Sequence, residues 1–211
     1  TAFDPAALKR FRRSVQVVFQ DTNSSFDPRM SVGDSLAEPL LVQGMTDARR
    51  RRDIVEDLLE RVGLSTSDAD RYPHELSGGQ KQRVGLARAL TVNPDVIIAD
   101  EPVSALDVSV QSEILDLIGH LQERYGLTLV VISHDLEVVR EICDRVAVMY
   151  LGEFVEVGPT EELFSDPLHP YTRGLLSAVP KPDPSQRGLG AEIRGDVPDP
   201  ASPPSGCRFH T

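Results

Sequence analysis

Asp95-Val96-Ile97-Ile98-Ala99-Asp100-Glu101 is the stretch whose reading decides the fold. Val96 to Ala99 has the length and apolar content of a buried strand. Its polar end is two adjacent carboxylates. Downstream, Val110, Ile114, Leu117, Ile118 and Leu121 fall on one face of a helix. Leu129 to Ile132 is a second strand, and Leu136, Val139 and Ile142 mark another helix. Val146 to Tyr150 and Phe154 to Val157 predict a hairpin around Leu151-Gly152-Glu153. Alternating strand and helix implies right-handed crossovers and a largely parallel sheet flanked by helices, an α/β fold. Such sheets bind ligands at the carboxyl ends of their strands. Asp100 and Glu101 occupy that position.

Upstream, Val15 to Phe19 reads as a short strand, followed by a polar loop from Asp21 to Arg29. A mostly helical stretch runs from about Val32 to Leu90. Within it Ile54, Val55, Leu58, Leu59 and Val62 keep helical spacing, and Gly63 suits a C-terminal cap. Thr1 to Ala7 reads as loop. After Ala178 the chain becomes proline-rich, from Pro180 to Pro204, as in an extended tail or linker.

The chain has 211 residues, 40% of them hydrophobic and 26% charged, with a net charge of −11. That length supports a core. An acidic chain gains nothing from counterion release on DNA or RNA, so no nucleic-acid partner is expected. The basic run Arg49 to Arg52 opens a helical segment and reads as a solvated face. No apolar run approaches the roughly 18 residues of a membrane helix, and no signal peptide is recognisable at the start. Cys143 and Cys207 lie too far apart in sequence to suggest a disulfide framework, which makes the cytosol the default compartment. Cys143 is expected to pack beside a helix and Cys207 to be a surface thiol.

Three further stretches carry chemistry. Leu76-Ser77-Gly78-Gly79-Gln80 runs into the helical Lys81 to Leu90. Ser77 can cap that helix, the glycines allow close backbone approach to a ligand, and the helix start favours an anion. Val84, Ala87 and Leu90 would face the core. Val130-Val131-Ile132-Ser133-His134-Asp135 places His134 just past a strand end, where it is either structural or a ligand contact. Gln20 follows the first strand in the same way. Asp100 can hold a divalent cation through its waters, and Glu101 can orient or deprotonate an attacking water. Taken alone, the acidic pair better suits a solvated strand end.

Together these stretches resemble the ATP-binding subunits of ABC transporters. Leu76 to Gln80 matches the signature sequence. Asp95 to Glu101 is similar to the Walker B strand, Ser104-Ala105-Leu106-Asp107 to the D-loop, His134 to the switch histidine and Gln20 to the Q-loop glutamine. All five occur in family order between about Phe11 and Gly158. Phe19-Gln20-Asp21, Phe26-Asp27-Pro28-Arg29-Met30, Ala37-Glu38-Pro39 and Pro167-Leu168-His169-Pro170-Tyr171-Thr172 resemble oligopeptide, dipeptide and nickel importers. So does Pro203 to His210. In some of those proteins further tail cysteines bind an iron–sulfur cluster; Cys207 alone cannot form a four-thiolate site.

The resemblance implies a P-loop NTPase-type sheet with an inserted helical subdomain. Residues 1–23 would be partial ATPase core with the Q-loop strand, 24–90 the helical subdomain ending in the signature, 91–165 the remaining core, and 166–211 a C-terminal extension. It implies ATP and Mg²⁺ as ligands. Glu101, His134 and Gln20 would be catalytic, and Asp100 and Gln20 would serve the metal. Ser77, Gly78, Gly79, Gln80 and Asp107 would bind nucleotide across a head-to-tail dimer. The implied partners are a second ABC ATPase domain, transmembrane permease subunits and, indirectly, an extracytoplasmic solute-binding protein. The implied location is the cytoplasmic face of the membrane. No Gly-x-x-x-x-Gly-Lys-Ser/Thr loop occurs in the sequence, so that loop is expected upstream of Thr1, and the stretch by itself is expected to bind ATP poorly and hydrolyse none. The implied function is ATP hydrolysis powering import of a small solute, oligo- or dipeptides by subfamily resemblance. An ABC fragment without a transport role is the alternative.

Overall fold

A computed structural model describes residues 4–20, 25–179, 198–199 and 201–209. The loop expectation at 21–24 and most of the proline-rich tail lie outside the described residues. The chain divides into two compact units, 1–134 and 135–211.

In the first unit, β1 (Val15–Val18), β2 (Val96–Asp100) and β3 (Thr128–Ile132) form a parallel sheet in the order β1-β2-β3. Val18 pairs with Ala99, and Ala99 with Val131. The sequence places β2 correctly, and the pairing extends it by one residue to Asp100. β1 stops one residue short of the expected Phe19, which is exposed. Strand side chains alternate between faces. Val18, Ile97 and Ala99 are buried on one face, whereas Val17, Val130 and Ile132 on the other are exposed.

Helix α1 (Pro5–Ser14) precedes β1. The sequence suggests a loop over its start, but the Asp4 carboxylate accepts the Ala7 amide at 2.7 Å and Pro5 supplies a preset first helical residue. The helical stretch resolves into α2 (Val32–Val42), α3 (Ala48–Arg61), two short 3₁₀ turns at Thr66–Asp70 and Pro73–Glu75, and α4 (Gly78–Leu90). Val55, Leu58 and Leu59 bury the inner face of α3, while Arg49, Arg50 and Arg52 stay exposed as the basic run implied. Gly63 takes φ 73°, the left-handed geometry of a helix terminus. On α4, Val84, Ala87 and Leu90 are buried as read, along with Leu86.

α5 (Val108–Tyr125) lies between β2 and β3 and ends at Gly126, φ 61°. It buries Ile114, Leu115, Ile118 and Leu121. Leu117 is only partly covered, and Leu115 takes its place because the core wraps slightly further round the helix. Each fully buried Leu or Ile stabilises the fold by about 1.5–3 kcal/mol, so this stripe fixes α5 on the unit.

The second unit contains α6 (Leu136–Ile142), a β4–β5 hairpin (Arg145–Tyr150 and Glu153–Pro159), α7 (Thr160–Ser165) and α8 (Pro170–Ala178). Tyr150 pairs with Glu153, so the turn is the two residues Leu151 and Gly152, both at positive φ (46° and 80°). That is the primed geometry matching strand twist. Glu156 accepts the amides of Leu168 and His169 at 2.8 and 3.0 Å, anchoring the start of α8. Tyr150, Tyr171, His169 and Phe209 pack as an aromatic cluster. Arg208 bonds the Leu151 carbonyl and Glu153, tying 201–209 to the hairpin. Cys143 follows α6 and is half-buried, and burial raises its thiol pKa. Cys207 is exposed, its sulfur 3.9 Å from His169 Nε2.

Candidate functional site

The three parallel strands of the first unit deliver their polar ends to one edge. Gln20 lies two residues past Val18, which pairs with Ala99; Asp100 ends β2 and pairs with Ile132; His134 lies two residues past Ile132. The register therefore brings the loops carrying Gln20, Asp100, Glu101 and His134 to the carboxyl edge of the sheet.

Glu101 is the pivot. Its amide still donates to the Ile132 carbonyl at 2.8 Å, in line with the sheet. Its backbone then turns to φ 49°, a left-handed conformation uncommon for a residue with a Cβ. The Glu101 carbonyl accepts the Ser104 amide at 3.4 Å and the Ser104 hydroxyl at 3.2 Å. Glu101 Oε1 accepts the His134 amide at 3.2 Å and lies 2.6 Å from His134 Nδ1. An ionised carboxylate only accepts, so Nδ1 carries a proton, and a neutral His134 leaves Nε2 as an acceptor. The Glu101 side chain is 14% exposed and that of His134 is 77% exposed. The carboxylate is thus sheltered while the imidazole faces outward.

Asp100 shares the open face of the sheet with Ile132, and its carboxylate makes no hydrogen bond or ion pair with a described residue. Gln20 is exposed and likewise bonds to no described residue. A hard cation that keeps most of its waters needs few protein oxygens and room for the rest. One partnerless carboxylate and one exposed amide oxygen fit Mg²⁺. Among the described residues no group of three His, Cys, Asp or Glu forms a ready-made metal cage.

The second cluster is the start of α4. Ser77 Oγ accepts the Gln80 amide at 3.2 Å, and Gln80 Oε1 accepts the Ser77 amide at 3.0 Å. This reciprocal box leaves the amides of Gly78 and Gly79 as the free donors of the first turn. They point out of the positive end of the helix, a setting that favours a phosphate oxygen. Asp107 caps α5: its carboxylate accepts the Ser109 hydroxyl at 2.8 Å and the Val110 amide at 3.1 Å. These bonds, the hydroxyl's foremost, hold its pKa below the ordinary value.

The structure brings Glu101 and His134 into contact and places Ser77 and Gln80 in one cap. No hydrogen bond joins Gln20 or Asp100 to either pair. It also reveals supporting residues the motifs do not announce. Gln111 donates to the carbonyls of Val103 and Leu106, both at 3.1 Å, pinning the 101–107 loop from α5. Arg83 donates to the Val62 carbonyl and to Glu113, both at 2.9 Å, joining α3, α4 and α5. Val110 and Leu106 sit against the two glycines of α4. Only three-dimensional contact marks these residues; their spacing in sequence carries no chemical pattern.

The sequence model of the family described as ABC transporter matches residues 1–104, and that described as oligopeptide/dipeptide transporter, C-terminal region, matches 155–211. The chain is 52% identical over 204 residues to a putative peptide import ATP-binding protein of Brucella ovis, covering 97% of this chain and 64% of that protein. It is 52% identical over 205 residues to the oligopeptide transport ATP-binding protein AppF of Bacillus subtilis, covering 96% of this chain and 62% of that protein. The chain thus spans less than two thirds of the length of these relatives. Among solved structures it resembles an ATP-binding cassette captured as a dimer in a post-hydrolysis state bound to ADP and Pi. The TM-score is 0.65 at 34% identity, over 75% of this chain and 68% of that one.

Proposed function

The chain belongs to the ABC transporter ATP-binding family, and from that premise we propose that it is part of an ATPase subunit that powers import of oligo- or dipeptides. The observation that carries the proposal is the Glu101–His134 contact at the carboxyl edge of the sheet. A sheltered carboxylate with one oxygen on an imidazole keeps its other oxygen for a water proton. The peptide class rests on the relatives' names and on the match of residues 155–211 to the oligopeptide/dipeptide C-terminal region.

In this reading Asp100 and the Gln20 amide hold Mg²⁺, which when bound neutralises charge on the β- and γ-phosphates. Glu101 orients the attacking water and accepts its proton. His134, fixed by its own amide and by Nδ1, presents Nε2 toward the γ-phosphate side. A protonated His134 would donate to a phosphate oxygen, whereas in a neutral one Nε2 can accept only from water. The Gly78 and Gly79 amides and Ser77 recognise the nucleotide of a second ABC ATPase domain placed head to tail. Gln80 keeps Ser77 and the first turn in register, and Asp107 holds the start of α5 beside them. Catalysis is positioning and charge stabilisation. Residues 24–90 serve as the helical subdomain that passes closure to permease subunits, with a solute-binding protein acting through those subunits. No helix among the described residues is long and apolar enough to cross a membrane. In this reading the permease subunits hold the protein at the cytoplasmic face of the membrane.

The test is Mg²⁺-ATP hydrolysis by the protein at its natural length beside its Glu101→Gln variant. The expected outcome is turnover in the first and a loss of at least about 100-fold in the second, with nucleotide binding retained. Equal activity in both would remove Glu101 from the mechanism, and a folded but inactive parent would overturn the ATPase reading.

A further inference from the structure

The two signature glycines are not equivalent. A Cβ placed on Gly79 would lie 2.6 Å from Val110 Cγ1 and 3.9 Å from Val110 Cβ. Nonbonded carbons settle near 3.5–4.0 Å, so that contact is a collision. Val110 cannot swing away easily. It is β-branched, sits in the first turn of α5, and its amide is held by Asp107 at 3.1 Å. A Cβ on Gly78 would meet only Leu106 Cδ2, at 3.2 Å. That atom is the far end of a flexible side chain, so it can give way by a few tenths of an ångström.

We infer that Gly79 is glycine because Val110 occupies the space of its Cβ, and that Val110 is a positioning residue setting the start of α4 against the start of α5. Gly78 meets no such rigid neighbour. The contact has support on both sides. Arg83, one turn further along α4, reaches Glu113, three residues past Val110 on α5, at 2.9 Å. Gln111 holds the loop before α5 through the carbonyls of Val103 and Leu106. The anion-recognising end of α4 and the Asp107-capped end of α5 therefore form one interlocked piece. A shift of the 101–107 loop carries the amides of Gly78 and Gly79 with it. This deepens the proposed function and rests on it for the activity arm of the test only.

The stability arm uses the chain itself. In a helix, Gly→Ala is normally stabilising. Gly79→Ala should instead lower Tm by about 2–6 °C, because overpacking outweighs propensity. In a Val110→Ala background the sign should reverse, so that adding Gly79→Ala raises Tm. Gly78→Ala should hold or raise Tm in either background. The activity arm uses the protein at its natural length. Gly79→Ala should cut kcat by at least 10-fold, and Val110→Ala/Gly79→Ala should recover at least one third of the activity of Val110→Ala alone. Gly78→Ala should lose activity that Leu106→Ala does not restore. A Tm effect of Gly79→Ala that is the same with and without Val110 would overturn the proposal. So would a double variant as inactive as Gly79→Ala in a parent that hydrolyses ATP. A parent without activity would instead refute the ATPase reading, leaving the Tm cycle to decide the packing claim.

Discussion

At the residue scale, Glu101 combines strain with chemistry. Its φ of 49° is expensive for a residue with a side chain, and the contact between its Oε1 and His134 offsets part of that expense. His134→Ala removes the ring contact and keeps the amide bond to Oε1. With His134→Ala present, Glu101→Gly should therefore cost about 1 kcal/mol less than it does in the parent, because the lost side chain then gives up one bond fewer. Chemical denaturation of the single and double variants measures this; equal costs in both backgrounds would mean the ring contact contributes nothing to stability. The place of Glu101 was legible in the sequence, since two acids after an apolar run mark the polar end of a strand. Its left-handed backbone and its bond to His134 were not, because a contact across 33 residues follows from the β2–β3 register. Val110 was hidden because its contact with Gly79 depends on how α4 packs on α5, and Gln111 because its bonds to the Val103 and Leu106 carbonyls depend on the conformation of the loop between them.

At the element scale, the strands and the amphipathic helices were legible because their periods differ, and Asp95 to Glu101 alone settled the class of fold. Helix α1 was missed because its apolar stripe, Ala7, Leu8 and Phe11, is short and set among basic residues; its Asp4-Pro5 start was the available signal. The short helices α7 and α8 were missed as well, being only a turn or two long and flanked by proline. The joins between helices rest on arginines. Arg83 has its side chain 18% exposed and serves both the Val62 carbonyl and Glu113, whose side chain is 64% exposed. Removing the sheltered partner leaves a carbonyl and a carboxylate without their donor, while removing the exposed one costs only a screened ion pair. Arg83→Met should therefore destabilise the first unit by about 1–3 kcal/mol, and Glu113→Gln by less than about 1 kcal/mol. Urea denaturation of each variant checks the order. Equal costs would show that the ion pair to Glu113 on α5, not the bond to Val62, accounts for what Arg83 contributes.

At the scale of the whole molecule, charge and open apolar surface pull in opposite directions. Val17, Val130 and Ile132 are 42%, 45% and 52% exposed and share one face of the parallel sheet, with β3 at its edge. Met149, Phe154 and Val157 are exposed on the hairpin of the second unit. Contiguous apolar faces of this kind, next to a strand edge that pairs with no strand among the described residues, favour association between copies. The opposing term is a net charge of −11, which keeps copies apart at neutral pH. The sequence pI is about 4.9, so that repulsion fades as pH falls toward it. Light scattering of this chain should accordingly rise as pH is lowered from about 7.5 to about 5.5, and should rise at neutral pH when salt screens the charge. A lysine at Val130 places a charge in the middle of the open face without touching the buried one. Val130→Lys should therefore suppress scattering across the range while leaving far-ultraviolet circular dichroism unchanged. Lysine also moves the net charge toward zero, so a purely electrostatic origin predicts the opposite sign, more scattering rather than less. The direction of that one change decides whether the sheet face or the overall charge governs association.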